Sequence, residues 1–226
     1  MTNLDFIYNR KSVRKFKDTP IPKEDILELL KAATHAPSPK HQQNWHFVVL
    51  QNKDIINEMA DIVTKKHEEI GALAKTEKDN KIHMSVIKYY TCFRYAPVVV
   101  LVYASPYKMI EYKILKENNA SQEVLDTLVS AQSAAQGIGA AVENILLAAT
   151  EMGYGTCYMT GPTHAKKEIE QLIGFNKEGY QTSKEDAFYR KITTNNTLDD
   201  FYNAMASKND SEYQEFYYAK QSNDFI

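Results

Sequence analysis

A turn-rich polar loop runs straight into an apolar strand in the stretch Ala36-Pro37-Ser38-Pro39-Lys40-His41-Gln42-Gln43-Asn44-Trp45-His46-Phe47-Val48-Val49-Leu50. Pro37 and Pro39 stop the helix that precedes the loop, because proline lacks a backbone N–H and clashes with the preceding turn. The run from Phe47 to Leu50 is short and apolar, which favours a buried strand. A second run, Pro97-Val98-Val99-Val100-Leu101-Val102-Tyr103, carries the strongest strand signal in the chain.

Helical spacing of apolar residues predicts most of the remaining elements. A short first helix is predicted to end near residues 10–12, and a second to start at Pro22. Further helices are predicted over 54–67, over the polar and lysine-rich 71–94, and over the long apolar 124–152. The last is predicted over 163–172, capped by Thr163 and closed by Gly174. A mobile connection is expected over 105–122, and a short third strand over 156–159. This order predicts a single α+β or mixed α/β domain.

Composition excludes several classes of function. The 226 residues are 43% hydrophobic with a net charge of −2, so no basic field indicates nucleic acid. No apolar run approaches the ~20 residues of a membrane span. The first residues lack a signal-peptide pattern, so the cytoplasm is the expected compartment. Cys92 and Cys157 lie far apart in sequence and indicate neither a disulfide framework nor a thiolate metal cluster.

The stretch Arg10-Lys11-Ser12-Val13-Arg14 is a compact candidate anion site. Two arginines supply planar bidentate donors that suit a phosphate, and the serine adds a hydroxyl. The alternative is a basic helix end exposed to solvent, since short motifs carry false-positive matches.

Two further stretches can face a ligand. Gln43 offers an amide donor and an acceptor for the edge of a flat heterocycle, and His41 can act beside it, whereas Trp45 is expected to pack. Gly153-Tyr154-Gly155-Thr156 is a turn in which glycines permit a close approach of backbone N–H groups to a ligand. The alternatives are a loop-ordering role for Gln43 and a plain helix cap at the glycines. Together these motifs predict a phosphate-bearing cofactor, held at its tail by residues 10–14 and at its head by the loop.

Other chemistries find no support in the residue pattern. The six histidines show no metal-binding spacing, and His41 and His46 are expected to be polar loop residues. Ser12 and Ser38 lack the glycine elbow of serine hydrolases. No phosphate loop and no GxGxxG fingerprint follows a strand, which argues against a Rossmann domain.

Taken in order, the motifs resemble the FMN-dependent nitroreductase family. The matching pieces are Arg10 to Arg14, Ala36-Pro37-Ser38 with Gln43 and Trp45, the strand after Ala96-Pro97, and the Glu143-Asn144 helix that runs into the glycine turn. The resemblance implies an α+β fold with a central, mostly antiparallel sheet flanked by helices. It also implies an intertwined homodimer with two FMN molecules at the interface, a binding domain over 1–180, and a C-terminal arm over 181–226.

The resemblance also implies roles for individual residues. Arg10, Lys11, Ser12 and Arg14 would hold the FMN phosphate and ribityl chain. Pro37 and Ser38 would line the site from the partner subunit, and Gln43 would bond the flavin or its polar tail. The turn of Gly153, Tyr154, Gly155 and Thr156 would lie against the isoalloxazine near N5 and O4.

The implied activity is hydride transfer from NAD(P)H through flavin N5 to a nitroaromatic, a quinone or a similar small acceptor, in a ping-pong scheme with no catalytic side chain. Dehalogenation and flavin fragmentation are alternatives on the same fold. A flavin-binding sensor with little turnover and a helical interaction module without cofactor are alternatives from other classes.

Two departures from the family pattern stand out. His41 occupies a position where the family usually has Asn. Residues 181–196 are polar and show no strand pattern, and Asn195 and Asn196 stand where basic residues that reach the phosphate are expected. Arg190 or Lys191 is the candidate replacement.

Overall fold

Two antiparallel strands form the centre of the fold. A computed structural model describes residues 3–105 and 107–175. Strand β1 (Trp45–Leu50) pairs with β2 (Val99–Ala104) in a register that runs from Trp45 opposite Ala104 to Leu50 opposite Val99. Both strong strand predictions are therefore confirmed.

Nine α-helices and three short 3₁₀ helices surround these strands in the described residues. The α-helices are α1 (Asp5–Asn9), α2 (Lys23–Thr34), α3 (Lys53–Gly71), α4 (Glu77–Ser85), α5 (Ile87–Tyr90), α6 (Ile110–Glu117), α7 (Gln122–Val129), α8 (Ser133–Glu151) and α9 (Lys166–Leu172). The 3₁₀ helices are Pro39–His41, Cys92–Tyr95 and Gly161–Ala165. Helices and a small antiparallel sheet make the fold α+β, as predicted.

Side chains of β1 alternate between two hydrophobic clusters. Val48 and Leu50 pack in a cluster with α3 and α9, whereas Phe47 and Val49 pack in another with α2 and α8. Successive strand residues point to opposite faces of a sheet, so each face of β1 meets its own layer of helices. Because both faces of β1 are covered, residues Phe47 to Leu50 are all apolar and do not alternate with polar residues.

The long helix expected over 124–152 is wrong as a single element. Helix α7 ends at Val129, Gln132 adopts a left-handed conformation with φ of 47°, and α8 begins at Ser133. A left-handed residue interrupts the right-handed α-helix, so two helices form where apolar spacing predicted one. The connection expected over 105–122 was also incomplete, because it contains α6.

The third strand expected over 156–159 is reduced to one parallel bridge between Ser12 and Thr156. The chain enters the 3₁₀ helix Gly161–Ala165 soon afterwards, so no longer ladder forms in the described residues. Thr163 lies inside that 3₁₀ helix and its hydroxyl donates to the Thr160 carbonyl, so its predicted capping role is wrong. Gly174 follows α9 with φ of 65°, as predicted for a helix end. The expected arm over 181–226 and the basic candidates within it lie outside the described residues.

Histidines connect elements in the interior. His67 on α3 and His83 on α4 stack with ring centroids 3.7 Å apart. Each ring Nε2 lies within hydrogen-bond distance of the other residue's carbonyl, at 2.8 and 2.9 Å. His46, expected in a polar loop, instead lies on β1 with only 4% of its surface exposed. Burial lowers the pKa of His46 to about 4.

The buried His46 predicts a loss of stability in acid. A histidine in the unfolded chain has a pKa of ~6.5. Between that pH and the lower pKa of the folded state, the unfolded chain binds a proton that the folded chain does not. The free energy of unfolding therefore falls as the pH falls through this range. We expect the wild type to lose roughly 2–3 kcal/mol more than His46→Gln between pH 7 and 4.5 in urea titrations. The exposed-site control His35→Gln should keep the wild-type pH dependence. An equal loss of stability in His46→Gln would contradict the assignment of the acid sensitivity to His46.

Candidate cofactor site

The segment after α1 docks directly on the glycine turn after α8. The Val13 N–H donates to the Thr156 carbonyl at 2.8 Å, next to the bridge between Ser12 and Thr156. Gly155 permits this approach, because a Cβ there would lie 2.9 Å from both methyl groups of Val13. Two motifs that lie far apart in sequence thus form one surface.

Cationic side chains of this surface have few acidic partners. Arg10 Nε lies 3.7 Å from a carboxylate oxygen of Glu143 on α8, a loose and half-exposed pair. The Arg14 guanidinium lies over the Tyr89 ring, 5.4 Å from its centroid. Within the described residues, neither Lys11 nor Arg14 has a carboxylate at ion-pair distance. A donor set with this surplus of positive charge suits a phosphate.

The glycine turn is held by its own backbone and by α2. Gly153 has φ of 82°, and the Tyr154 N–H donates to the Ala149 carbonyl at 2.7 Å. The Tyr154 hydroxyl donates to the carboxylate of Asp25, and this hydrogen bond raises the pKa of Tyr154. Its side chain is therefore an anchor for the turn. Gly155 is exposed, and its N–H donates to no acceptor in the described part of the chain, so it can bind a ligand.

The loop before β1 has an unusual backbone. Lys40, His41 and Gln43 all have positive φ, at 49°, 53° and 43°. The Ser38 hydroxyl accepts a hydrogen bond from the Gln43 N–H at 2.6 Å and holds this shape. Left-handed non-glycine residues cluster at functional sites. The side chains of His41 and Gln43 make no hydrogen bond within residues 3–105 and 107–175, so both can bind a ligand.

Three loop residues that the sequence analysis did not single out fix the loop to the segment after β2. The Gln42 side chain donates to the Lys108 carbonyl at 2.6 Å and accepts from the Lys108 N–H at 2.9 Å. The Asn44 amide donates to the Ser105 carbonyl at 2.6 Å, and Lys40 Nζ lies 3.0 Å from the Glu111 carboxylate. The register of β1 and β2 brings these segments together, so only knowledge of that pairing could have revealed the contacts.

Helix α8 keeps the loop and the cationic segment apart. Gly137 faces Pro39 and Asn44 of the loop, whereas Glu143 contacts Arg10. Six helical positions separate Gly137 from Glu143, which corresponds to about 9 Å along the axis and about 120° around it. No hydrogen bond or ion pair of the described residues joins 36–43 to 10–14. One chain therefore presents the two candidate surfaces on different faces of the same helix.

Two other kinds of feature were searched for in the described residues. No group of three or more histidine, cysteine, aspartate or glutamate residues there could hold a metal ion. None of the helices there is long and apolar enough to cross a membrane.

Comparison with known proteins identifies the fold. A BluB-like flavoprotein from Clostridium difficile 630 is 39% identical over 79% of this chain and 83% of its own, with a TM-score of 0.71. A nitroreductase with bound FMN from Bacteroides fragilis NCTC 9343 has a TM-score of 0.56 over 77% of this chain and 79% of its own, and at 23% identity this likeness shows the fold alone.

Matches to curated sequences are shorter. A protein of Archaeoglobus fulgidus that is provisionally named an NADH dehydrogenase or NAD(P)H nitroreductase is 41% identical over 61 residues, or 27% of this chain. The match spans only 35% of that relative's own length.

The family model described as "Nitroreductase family" matches residues 7–183, well over half of the 226 residues. The match includes the cationic segment, the loop before β1 and the glycine turn. It confirms the resemblance that the motifs indicated. The chain belongs to the Nitroreductase family.

Proposed function

We propose that this protein is an FMN-dependent oxidoreductase that passes hydride from NAD(P)H to a small electron-poor acceptor such as a nitroaromatic or a quinone. The observation that carries the proposal is the docking of the cationic segment 10–14 on the Gly155 turn. This docking supports the proposal because it brings two arginines and a serine, which suit a phosphate tail, beside a backbone N–H that suits the polar head of a nucleotide-like cofactor.

Arg10, Lys11, Ser12 and Arg14 are the proposed phosphate and ribityl contacts. Arg14 is the strongest candidate, because its guanidinium is already oriented over Tyr89 and has no carboxylate partner in the described residues. Arg10 would exchange its loose pair with Glu143 for a phosphate. The backbone at Gly155 and Thr156 would face the head of the flavin, while Tyr154 holds the turn against α2.

Pro37, Ser38, His41 and Gln43 are the proposed contacts from a second copy of the chain. Within one chain, the loop and the cationic segment lie on different faces of α8. We therefore expect the loop to face the cationic segment of a second copy. The hydrogen bond between Ser38 and Gln43 leaves the Gln43 side-chain amide free to donate and accept. The ring nitrogens of His41 offer a further hydrogen-bond donor or acceptor in the same loop.

When bound, FMN supplies hydride transfer between the nicotinamide donor and the acceptor. The chain supplies position and electrostatics. The free N–H of Gly155 would stabilise negative charge on the reduced isoalloxazine, since backbone donors aimed at developing charge need no reorganisation. Ser105 and residues 107–111 are fixed to the loop by the side chains of Gln42, Asn44 and Lys40. They would line the pocket that the hydride donor and the acceptor occupy in turn.

An absorbance spectrum of the purified protein, followed by anaerobic NADH and then NADPH, tests the function. We expect flavin bands that bleach with one donor and return on addition of a quinone or nitroaromatic. Bands that persist with both donors would support a flavin-binding sensor in place of an enzyme. A protein that neither contains nor takes up FMN would contradict the proposal.

Arg14→Ala should weaken FMN binding without unfolding the domain. Loss of a charge-assisted phosphate contact removes roughly 1.5–3 kcal/mol, or about 10- to 150-fold in the dissociation constant. Quenching of flavin fluorescence measures the affinity, and circular dichroism checks the fold. Lys15→Ala removes the same charge one position away and should bind FMN like the wild type. Equal affinities of Arg14→Ala and Lys15→Ala would sink the phosphate assignment.

We propose that a second copy of the chain packs against α1. This helix has no buried residue, and the apolar side chains of Ile7 and Tyr8 within it and of Leu4 just before it are exposed. It packs beside α8, next to the cationic segment that the partner's loop would meet. Exposed apolar side chains that cluster next to a half-site favour an interface between two copies.

Ile7→Glu should weaken the dimer, because it places a charge in the apolar contact. Light scattering should give the wild type twice the 25.9 kDa chain mass, and the variant a mass that falls towards the monomer on dilution. Ile82→Glu, at another exposed apolar position on α4, should remain dimeric. A monomeric wild type at micromolar concentration would contradict the two-copy site.

A further inference from the structure

Three histidine rings and one tyrosine ring meet where α3 contacts α4, α5 and the 3₁₀ helix Gly161–Ala165. His67 of α3 stacks on His83 of α4 with ring centroids 3.7 Å apart, and its centroid lies 5.6 Å from that of His164. The Tyr90 ring of α5 meets His67 edge-on at 5.5 Å. A Cβ at Gly161 would lie 2.3 Å from the Tyr90 ring, so only glycine permits this packing. We call these four rings the histidine joint.

Hydrogen bonds in the histidine joint fix where its protons lie. The Nε2 atom of His67 is 2.8 Å from the His83 carbonyl oxygen, and Nε2 of His83 is 2.9 Å from the His67 carbonyl oxygen. A carbonyl oxygen only accepts, so each Nε2 carries a proton and donates it. Nδ1 of His67 is buried and has no hydrogen-bond partner in the described residues. A second proton on His67 would therefore be a buried donor without an acceptor on a charged ring, which costs free energy.

The groups around His67 favour its neutral form. Burial lowers the pKa of His67, and the neighbouring rings of His83 and His164 lower it further. The hydrogen bond to the His83 carbonyl and the charge of Glu68 oppose this shift without reversing it. Charged groups of the elements packed on α3 have other partners: Arg94 pairs with Asp61, Glu168 with Lys66, Lys166 with Glu170, and Asp79 accepts from the Thr76 hydroxyl.

Helix α4 buries little apolar surface that could hold it in place. None of its residues is buried, and only His83 and Met84 are partly buried. Its closest approach to α3 is at Gly71, where a Cβ would lie 3.1 Å from both Asn80 Oδ1 and the Met84 sulfur. Packing of an apolar face supplies most of the stability of a helix in a protein. The attachment of α4 therefore depends strongly on the stacked rings and their two hydrogen bonds.

We propose that the stacked pair of His67 and His83 is a pH-sensitive latch, which holds α4 on α3 while both rings are neutral and releases α4 in mild acid. Opening exposes Nδ1 of His67 to water, where it can take up a proton. The open chain then binds a proton that the closed chain does not, so the closed form loses stability as the pH falls below the usual histidine pKa of ~6.5.

Release of α4 would also affect the cationic segment through α5. Val86 ends α4 and precedes α5 directly, so the two helices share this residue as a cap. The Tyr89 ring of α5 lies beneath the Arg14 guanidinium. An acid-opened latch would therefore loosen the support of Arg14, while the latch itself requires no bound cofactor.

Hydrogen exchange of the α4 amides at pH 7 and pH 5, corrected for the intrinsic exchange rate, tests the latch. We expect their protection in the wild type to fall roughly 5- to 25-fold for one proton taken up on opening. The double variant His67→Gln, His83→Gln keeps both side-chain N–H donors but cannot take up a proton, so it should lose most of this fall. His35→Gln, at an exposed histidine after α2, should retain it.

Wild-type protection that is unchanged between the two pH values, or an equal fall in the double variant, would overturn the proposal. Urea provides a second measurement that needs no variant. A local opening exposes little surface, so low urea concentrations should leave exchange of the α4 amides nearly unchanged at pH 5. Exchange of α4 that rises with urea as steeply as that of α8 would assign the pH effect to global unfolding and also overturn the latch. Because no readout requires FMN, such a failure would leave the proposed oxidoreductase function untouched.

Discussion

The hydrogen bond from Val13 to Thr156 and the close approach at Gly155 join the two ends of the described chain. Without this contact, the segment from Arg10 to Arg14 would be a basic tail after a five-residue helix that buries nothing. With it, the cationic side chains take fixed places beside a turn held by α8 and by Asp25. The site therefore depends on a glycine whose missing Cβ makes room for Val13.

The central strands position the loop before β1. Because β1 is covered on both faces, its register with β2 is fixed by two hydrophobic layers. The same register sets Asn44 beside Ser105 and Gln42 beside Lys108, and these bonds hold the left-handed backbone of the loop. Core packing thus shapes a loop that itself contributes little to the core. Helix α8 then holds the loop on one face and Arg10 on another, and for this reason we propose that the site is shared between two copies.

Local signals in the sequence identified what depends on local physics. Apolar β-branched runs predicted β1 and β2, and Gly153 and Gly174 predicted helix ends, because each rests on the preferences of a few neighbouring residues. The break at Gln132 could not be predicted, since its left-handed backbone shows no glycine or proline. The anchor between Tyr154 and Asp25 joins residues 129 positions apart, so no spacing rule could find it. The buried His46 was expected in a loop, because a polar residue directly before an apolar run is typical of the end of a strand.

The most direct test of the account compares the affinities of FMN and riboflavin for the same protein. The two ligands share the isoalloxazine and the ribityl chain and differ only in the phosphate. If Arg10 and Arg14 bind that phosphate, FMN should bind at least about 100-fold more tightly, as two charge-assisted contacts imply. Equal affinities would mean that the cationic segment does not bind the cofactor's phosphate, and would contradict the account at its centre.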